Sequence, residues 1–332
     1  MEDKIKGIIK KEFRAKVLDV ERITEGYSHF MYLVKIDKAP GELIIRFSSN
    51  IKPAVSIAKE KFIIETLRKR RIPAPKILAF YFPENKKEEG YMVLEKFSGQ
   101  SLDVIWDSLE REDKLSITVK IGKLLKDIHS IKFDSFGEIE ENGYIEKDSP
   151  FKFRDAKKTN INKCKRVHLK DQLRYISRTS LYDIASDKFL KDYLDYILNN
   201  RELLEYEGKP CLNHGDFFPG HIFVIKKGKE YFIEGIIDFE FACSFNPEND
   251  FVKLHRSGFF HISELKEAFE KGYGSEVDIE RADMHRIMRD FGFATYLLES
   301  GSTTLPKKIF LDVERMINEK KSKNKLEFFE FP

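Results

Sequence analysis

Residues 211–254 read CLNHGDFFPGHIFVIKKGKEYFIEGIIDFEFACSFNPENDFVKL. Two acidic clusters stand here on the shoulders of two short apolar runs. His214-Gly215-Asp216 precedes the β-prone run Ile222 to Ile225, with His221 at its entrance, and Asp238 stands at the exit of Gly235-Ile236-Ile237. Between the runs, Lys226 to Glu230 is charged and contains Gly228, which predicts a hairpin turn. Such a hairpin brings His221 and Asp238 together at one end, with Asp216 a few residues before its first strand.

Two acids so placed suit phosphoryl transfer. That reaction asks for a carboxylate to orient and deprotonate the attacking hydroxyl, and for ligands that hold a metal ion on the nucleotide phosphates. The competing explanation is that Asp216 and Asp238 only cap turns between buried strands. The spacing H-G-D-x-x-x-x-H, then a hairpin, then I-I-D-F, resembles the catalytic and metal loops of the protein-kinase-like fold in its small-molecule branch. In these motifs the chain is similar to the aminoglycoside phosphotransferase and choline kinase-like family, whose members phosphorylate hydroxyls of antibiotics, choline, sugars and related compounds. The resemblance implies that Asp216 is the catalytic base and that His221 and Asp238 hold Mg²⁺ on ATP or GTP.

Two departures bear on the acceptor. Most of the family carries Asn where this chain has His221, and imidazole suits Mg²⁺ less well than oxygen does, so Mn²⁺ is a second candidate metal. Members acting on the 2″-hydroxyl of aminoglycosides resemble this chain in having His there. Glu240, following Asp238-Phe239, looks more like choline and ethanolamine kinases. The two details point to different substrates.

The 332 residues are enough for two lobes with a cleft between them. Hydrophobic residues make up 41% and charged residues 35%, with 29 Phe against 18 Gly, the composition of a globular protein with filled cores. A net charge of +3 singles out no partner. Cys164, Cys211 and Cys243 have no paired or zinc-finger spacing, which with the absence of a signal-like or membrane-spanning run gives a cytoplasmic expectation.

Earlier in the chain, Ile5, Ile8, Ile9 and Phe13 predict an amphipathic helix. Strands follow over Val20–Ile23 and Phe30–Ile36, and the turn between them, containing Ser28, stands where kinase-like folds cover the phosphates. GELIIRF, residues 41–47, is a third strand; a helix is expected over Ala54–Arg71 with Ile57, Ile63, Ile64 and Leu67 on its apolar face. By resemblance Arg46 and Glu60 form the ion pair that aims a guanidinium at the phosphates, with Glu65 as a competing partner. Ile77–Phe80 and Tyr91–Phe97 are the fourth and fifth strands. By the same resemblance Leu94 backs the base pocket, and the backbone of Glu95 and Phe97 hydrogen-bonds the purine.

Beyond Ser101 the pattern is helical, first over Asp103–Glu110 and then over Lys114–Ile131. His129 is expected to be a core residue bonded to backbone rather than a base. Residues 147–178 are strongly basic, which suits either an anionic or neutral acceptor or a solvated helix face. Glu264, Glu267, Asp278, Glu280 and Asp283 could line an acceptor pocket or be solvated helix charge. By resemblance His214 braces the catalytic loop and Asp250 ties the two loops together.

The expectation is therefore an α+β, bilobal, protein-kinase-like fold. A small N-terminal antiparallel sheet plus helix occupies 1–97 as the nucleotide-binding lobe, and a larger, mostly helical lobe with the catalytic loop, metal loop and acceptor site occupies 98–332. The partners expected are a nucleotide and a small-molecule hydroxyl acceptor, aminoglycoside first and amino alcohol, sugar or nucleoside second. No membrane or nucleic-acid partner is expected, and the chain would act as monomer or homodimer. A nucleotide-binding regulator without turnover is the rival class; a protein kinase is disfavoured because H-R-D, D-F-G and A-P-E are absent.

Overall fold

The structure is a computed structural model that describes residues 1–23, 30–48, 54–84, 88–140, 142–143, 145–146, 185–299, 301–302 and 304–327. Ser28 and the basic segment 147–178 lie outside the described residues.

The chain opens with helix α1 (Glu2–Phe13) and then β1 (Val17–Ile23), β2 (Phe30–Ile36) and β3 (Glu42–Phe47). Helix α2 (Ala54–Lys69), β4 (Ile77–Tyr81) and β5 (Tyr91–Glu95) follow. The five strands form one antiparallel sheet in the order β1-β2-β3-β5-β4. Alternation along β3 decides what each face does, because successive side chains leave a strand on opposite sides. Leu43, Ile45 and Phe47 pack with Ile5, Ile8 and Ile9 of α1, whereas Ile44 joins the core around α2. Arg46 therefore shares the α2 face of the sheet, opposite Met92 of β5. Ile5, Ile9, Leu43, Ile45 and Phe47 are fully buried, each contributing roughly 1.5–3 kcal/mol.

The fifth strand is shorter than the Tyr91–Phe97 expected. Glu234 explains the early exit: its carboxylate accepts from the backbone N–H groups of Ser98 (3.0 Å) and Gly99 (2.7 Å) and draws the chain onto a second sheet. There β6 (Gln100–Ser101) pairs with β10 (Ile222–Lys227), which in turn pairs with β11 (Glu230–Ile236). The helix expected over Asp103–Glu110 is one turn, α3 (Leu102–Ile105), followed by a 3-10 turn over Trp106–Ser108 where Trp106 packs on Phe259 at 4.8 Å.

Helix α4 (Arg111–His129) leads to β7 (Gly137–Ile139) and β8 (Ile145–Glu146). With β9 (Cys211–Asn213) and β12 (Cys243–Phe245) these make a four-stranded sheet ordered β8-β7-β12-β9. The remaining helices are α5 (Asp187–Asn199), α6 (Glu248–Arg256), α7 (Ser263–Tyr273), α8 (Ile279–Glu299) and α9 (Thr304–Glu327). Helices α4 and α7 approach so closely that a Cβ at Gly122 would lie 2.2 Å from the Phe269 carbonyl oxygen, and one at Gly272 would lie 1.9 Å from that of Val119. Only glycine permits that contact. One apolar core runs from α2 and β5 through α4 to Phe217, Phe239 and Phe251; a separate one joins α5, α8 and α9, with Tyr193 stacked on Phe291 at 4.0 Å. Among the described residues, no helix is long and apolar enough to cross a membrane.

Candidate active site

The hairpin β10–β11 forms as its sequence pattern predicts, and it sets His221 and Asp238 at one end. The backbone N–H of Ile237 donates to the His221 carbonyl (3.0 Å), and Nε2 of His221 lies 3.5 Å from Oδ2 of Asp238. Nδ1 of His221 is 2.9 Å from the carbonyl oxygen of Asp216. A carbonyl can only accept, so Nδ1 carries a proton, and Nε2 is the ring nitrogen that faces the carboxylate. A ring nitrogen and a carboxylate oxygen at that distance are joined through either a proton or a metal cation. The donor set fits a divalent ion in the way such ions are held beside phosphates, with one or two protein ligands and the rest from substrate and water. Among the described residues, no group of three His, Cys, Asp or Glu could hold a metal by itself.

Asp238 adopts φ +68°, a left-handed conformation that Asp tolerates better than most residues. The kink turns its other oxygen, Oδ1, to Nη2 of Arg46 at 2.9 Å. Nη1 of Arg46 donates to Oε1 of Glu60 at 2.7 Å, and Oε2 of Glu240 lies 3.5 Å from Nη2. Glu60, not Glu65, takes the guanidinium; Glu65 pairs with Lys61 at 2.7 Å. Three carboxylates thus share one buried cation. Burial drives the Glu60 carboxyl up to about 7 against the pull of Arg46, aided by the charges of Asp238 and Glu240. Burial acts in the same direction on Asp238, but Arg46 and His221 outweigh it and hold that carboxyl at about 2. Burial lowers and the surrounding carboxylates raise the proton affinity of Arg46, and the carboxylates win.

The catalytic-loop segment is braced from below. Asp250, fully buried on α6, accepts from the backbone N–H of His214 (2.7 Å) and of Gly215 (2.8 Å). Nε2 of His129 is 3.2 Å from the same carboxylate, and its Nδ1 is 2.8 Å from the Tyr273 hydroxyl. His129 is a core residue as expected, but its partners are side chains rather than backbone. Burial pushes the Asp250 carboxyl up, and these hydrogen bonds hold it below its usual range. His214 places Nε2 2.9 Å from the Ile237 carbonyl, so it donates there and leaves Nδ1 to accept the Asp216 N–H at 3.2 Å. Burial and the neighbouring His221 lower its proton affinity, which keeps the ring neutral in this role. Gly215 sits at φ +80°, and a Cβ there would lie 2.0 Å from the Phe241 carbonyl oxygen.

Asp216 has company that the sequence did not announce. Its Oδ1 is 2.9 Å from Nζ of Lys253 and 3.4 Å from Nη2 of Arg289, which also donates to the Gly215 carbonyl. Lys253 lies one helical turn after Asp250 on α6, a spacing that could have marked it. Arg289 arrives from α8, 73 residues downstream of Asp216, with no sequence signal. Lys59 was also overlooked; its Nζ is 3.3 Å from both Glu138 Oε2 and the Glu240 carbonyl. In the opposite direction, Glu264, Glu280 and Asp283 are spent elsewhere, on Arg111, on Lys320, and on His255 with Lys320.

Near the end of β5, Leu94 is buried between Ile44 and Ile77 in neighbouring strands. The Glu95 N–H is taken by the Lys76 carbonyl at 2.9 Å, leaving its carbonyl as the group with hydrogen-bonding capacity toward a base. Phe97 packs against Phe223 with ring centroids 5.4 Å apart and the rings tilted, and its ring fills the space over Gly235.

An antiparallel sheet with a buried Arg–Glu pair, followed by a mostly helical part in which two aspartates flank a hairpin, is the architecture of the protein-kinase-like fold. The sequence profile of the phosphotransferase enzyme family matches residues 19–288, and the chain belongs to that family of small-molecule kinases. Among solved structures, a GDP and kanamycin complex of the aminoglycoside phosphotransferase APH(2″)-IIIa is similar at a TM-score of 0.67 and 15% identity, covering 97% of this chain and 99% of that one. A ternary complex of APH(2″)-IIa with streptomycin and ATP gives 0.62 at 17% identity, over 96% and 98% of the two chains. A putative fructosamine-3-kinase from Thermobifida fusca gives 0.62 at 14%, over 95% and 98%. At these identities the likeness establishes the fold.

Proposed function

We propose that the protein moves the γ-phosphoryl group of ATP or GTP to a hydroxyl of a small molecule. The observation that carries this reading is an unbroken chain of contacts from the loop before β10 to helix α2. Asp216 touches His221, His221 faces Asp238, Asp238 meets Arg46, and Arg46 meets Glu60. In this reading residues 1–97 hold the nucleotide and residues 98–332 hold the acceptor and the catalytic groups.

Asp216 accepts the hydroxyl proton as the acceptor oxygen bonds to the γ-phosphorus. The bridging bond between the β- and γ-phosphates breaks, and the nucleoside diphosphate leaves with the electron pair. His221 Nε2 and the Asp238 carboxylate are the donors for Mg²⁺ or Mn²⁺, which when bound neutralises charge on the phosphates. Arg46, oriented by Glu60, reaches the phosphates once they compete with Asp238 for its Nη2. Leu94 backs the base, the Glu95 carbonyl and Phe97 N–H meet its edge, and Ser28 belongs to the covering turn.

Two acceptor classes follow from the residues. His221 favours an aminoglycoside, which would make the protein a resistance enzyme. The two cations on Asp216 favour a metabolic hydroxyl compound, and the fold shared with a fructosamine kinase is compatible with one. The test is nucleotide consumption with ATP and GTP in separate reactions, across aminoglycosides, amino alcohols, sugars and nucleosides. Acceptor-dependent release of nucleoside diphosphate supports the reading; nucleotide binding with no turnover on any acceptor would replace it with a regulator.

A further inference from the structure

The charge around Asp216 has a surplus. One carboxylate meets two cations, Lys253 at 2.9 Å and Arg289 at 3.4 Å, both half-buried and both held on packed helices. Nearby acids do not absorb the excess. Asp290 on α8 faces Arg256 and Arg286, Glu248 faces Arg281, and Asp250 is spent on His129 and two backbone amides. On β7, Glu138 is matched by Lys59 of α2. Among the described residues, Lys253 and Arg289 have no carboxylate partner other than Asp216. Nη2 of Arg289 is committed to Asp216 and the Gly215 carbonyl, so the remaining guanidinium edge keeps donors to offer, and Lys253 is steadied over the Phe218 ring at 5.7 Å.

A hydroxyl that gives its proton to Asp216 must come within hydrogen-bond reach of that carboxylate, about 2.6–3.2 Å. With the hydroxyl on the same carboxylate oxygen, the two cations then lie within roughly 7 Å of the reacting oxygen, a distance of a few covalent bonds. A polycationic acceptor would meet like charge at that spot, whereas an anion would meet a forked guanidinium and an ammonium. Resting on the phosphotransferase reading above, we propose that the acceptor is a small hydroxyl compound bearing its own carboxylate or phosphate, seated on Lys253 and Arg289. The transfer is the one already written; the anion is a handle and takes no part in bond making.

Matched acceptors test this: glycerol against glycerate and glycerol 3-phosphate, ribose against ribose 5-phosphate, with kanamycin as the polycation. The quantity read is the ratio of kcat/KM for the charged member to that of its neutral partner, in which effects on Asp216 or on the nucleotide's γ-phosphate divide out. The expected ratio exceeds ten, and Arg289→Gln and Lys253→Gln lower it roughly 10- to 100-fold, as loss of a charge-assisted hydrogen bond should. Lys253→Arg keeps it. A preference for the neutral members or for kanamycin, or a ratio indifferent to both glutamine variants, overturns the proposal while leaving the phosphotransferase intact. Thermal unfolding with a non-hydrolysable ATP analogue is the second readout. An Arg289-dependent rise in Tm from the anionic compounds without any turnover supports the anion seat and sinks the phosphotransfer reading; no such rise and no turnover overturns both.

Discussion

His221 presents Nε2 to Oδ2 of Asp238 at 3.5 Å while its other ring nitrogen donates to the Asp216 carbonyl. The tautomer is thereby fixed by a backbone group belonging to the residue that would act as base. An imidazole donor disfavours Mg²⁺ relative to softer divalent ions. Turnover is expected to be higher with Mn²⁺ than with Mg²⁺, and His221→Asn should shift the preference toward Mg²⁺ by about tenfold. Metal titrations of kcat/KM in both proteins check this, and identical metal profiles would remove His221 from the ligand set.

Asp216→Ala should reduce turnover by about 10²–10⁴, the usual range for removing a general base. Nucleotide affinity should change little, since Asp216 makes no contact with Arg46 or Glu60. Paired measurements of steady-state rate and nucleotide Kd decide it. Wild-type turnover in that variant would end the assignment.

Arg46 pairs with Glu60, Asp238 and Glu240 at once. Arg46→Ala leaves buried carboxylates unpaired and should destabilise the fold by about 3–5 kcal/mol. Arg46→Lys keeps the charge but not the fork that reaches Glu60 and Asp238 at once, so it should fold and show a raised KM for nucleotide. Chemical denaturation and KM determinations separate the two effects.

Glu60 gives the protein a pH signature. Its carboxyl stands at about 7 against an ordinary 4.5, so between those values the folded state binds more protons than the unfolded. The stability it contributes is complete below about pH 4.5 and is lost as pH rises through about 7. Asp238 has the opposite sign. Its contribution is present above the ordinary 3.8 and is lost as pH falls through about 2. Melting curves of wild type and Glu60→Gln between pH 5 and 8 should show a falling Tm in the first and a flatter profile in the second. Parallel profiles would contradict the raised value.

The meeting of His221 with Asp238 was legible because it is local. His214, Asp216, His221 and Asp238 lie within one hairpin and its entrance, where turn residues and alternating apolar runs fix the geometry. The Arg46–Glu60 pair was reachable because α2 follows β3 directly. What escaped was tertiary: Arg289 approaches from a helix whose text is an ordinary amphipathic pattern, and Lys59 is hidden beside the Glu60 that the motif draws attention to. Strand and helix ends also escaped where a distant group decides them. The chain leaves β5 at Glu95 because Glu234, on another sheet, accepts the next two turn amides.

Gly215→Ala tests how tightly the catalytic loop is packed. The φ of +80° and the 2.0 Å approach to the Phe241 carbonyl each oppose a side chain. A loss of more than about 1 kcal/mol is expected, together with a fall in turnover, because the loop must move for the methyl to fit. Unchanged stability and rate would mean that Gly215 is free to relocate.

Asp250 holds the amides of His214 and Gly215 while it leans on His129 of α4, which in turn meets Tyr273 of α7. The loop's shape thus depends on two neighbouring helices, α6 and α7, and on the distant α4, and its native bracing is complete only when all three are docked. The active site is therefore expected to be among the last parts to assemble during folding. A chain paused short of its native state has no half-working version of the enzyme; recovery of activity during refolding should trail the recovery of helix signal.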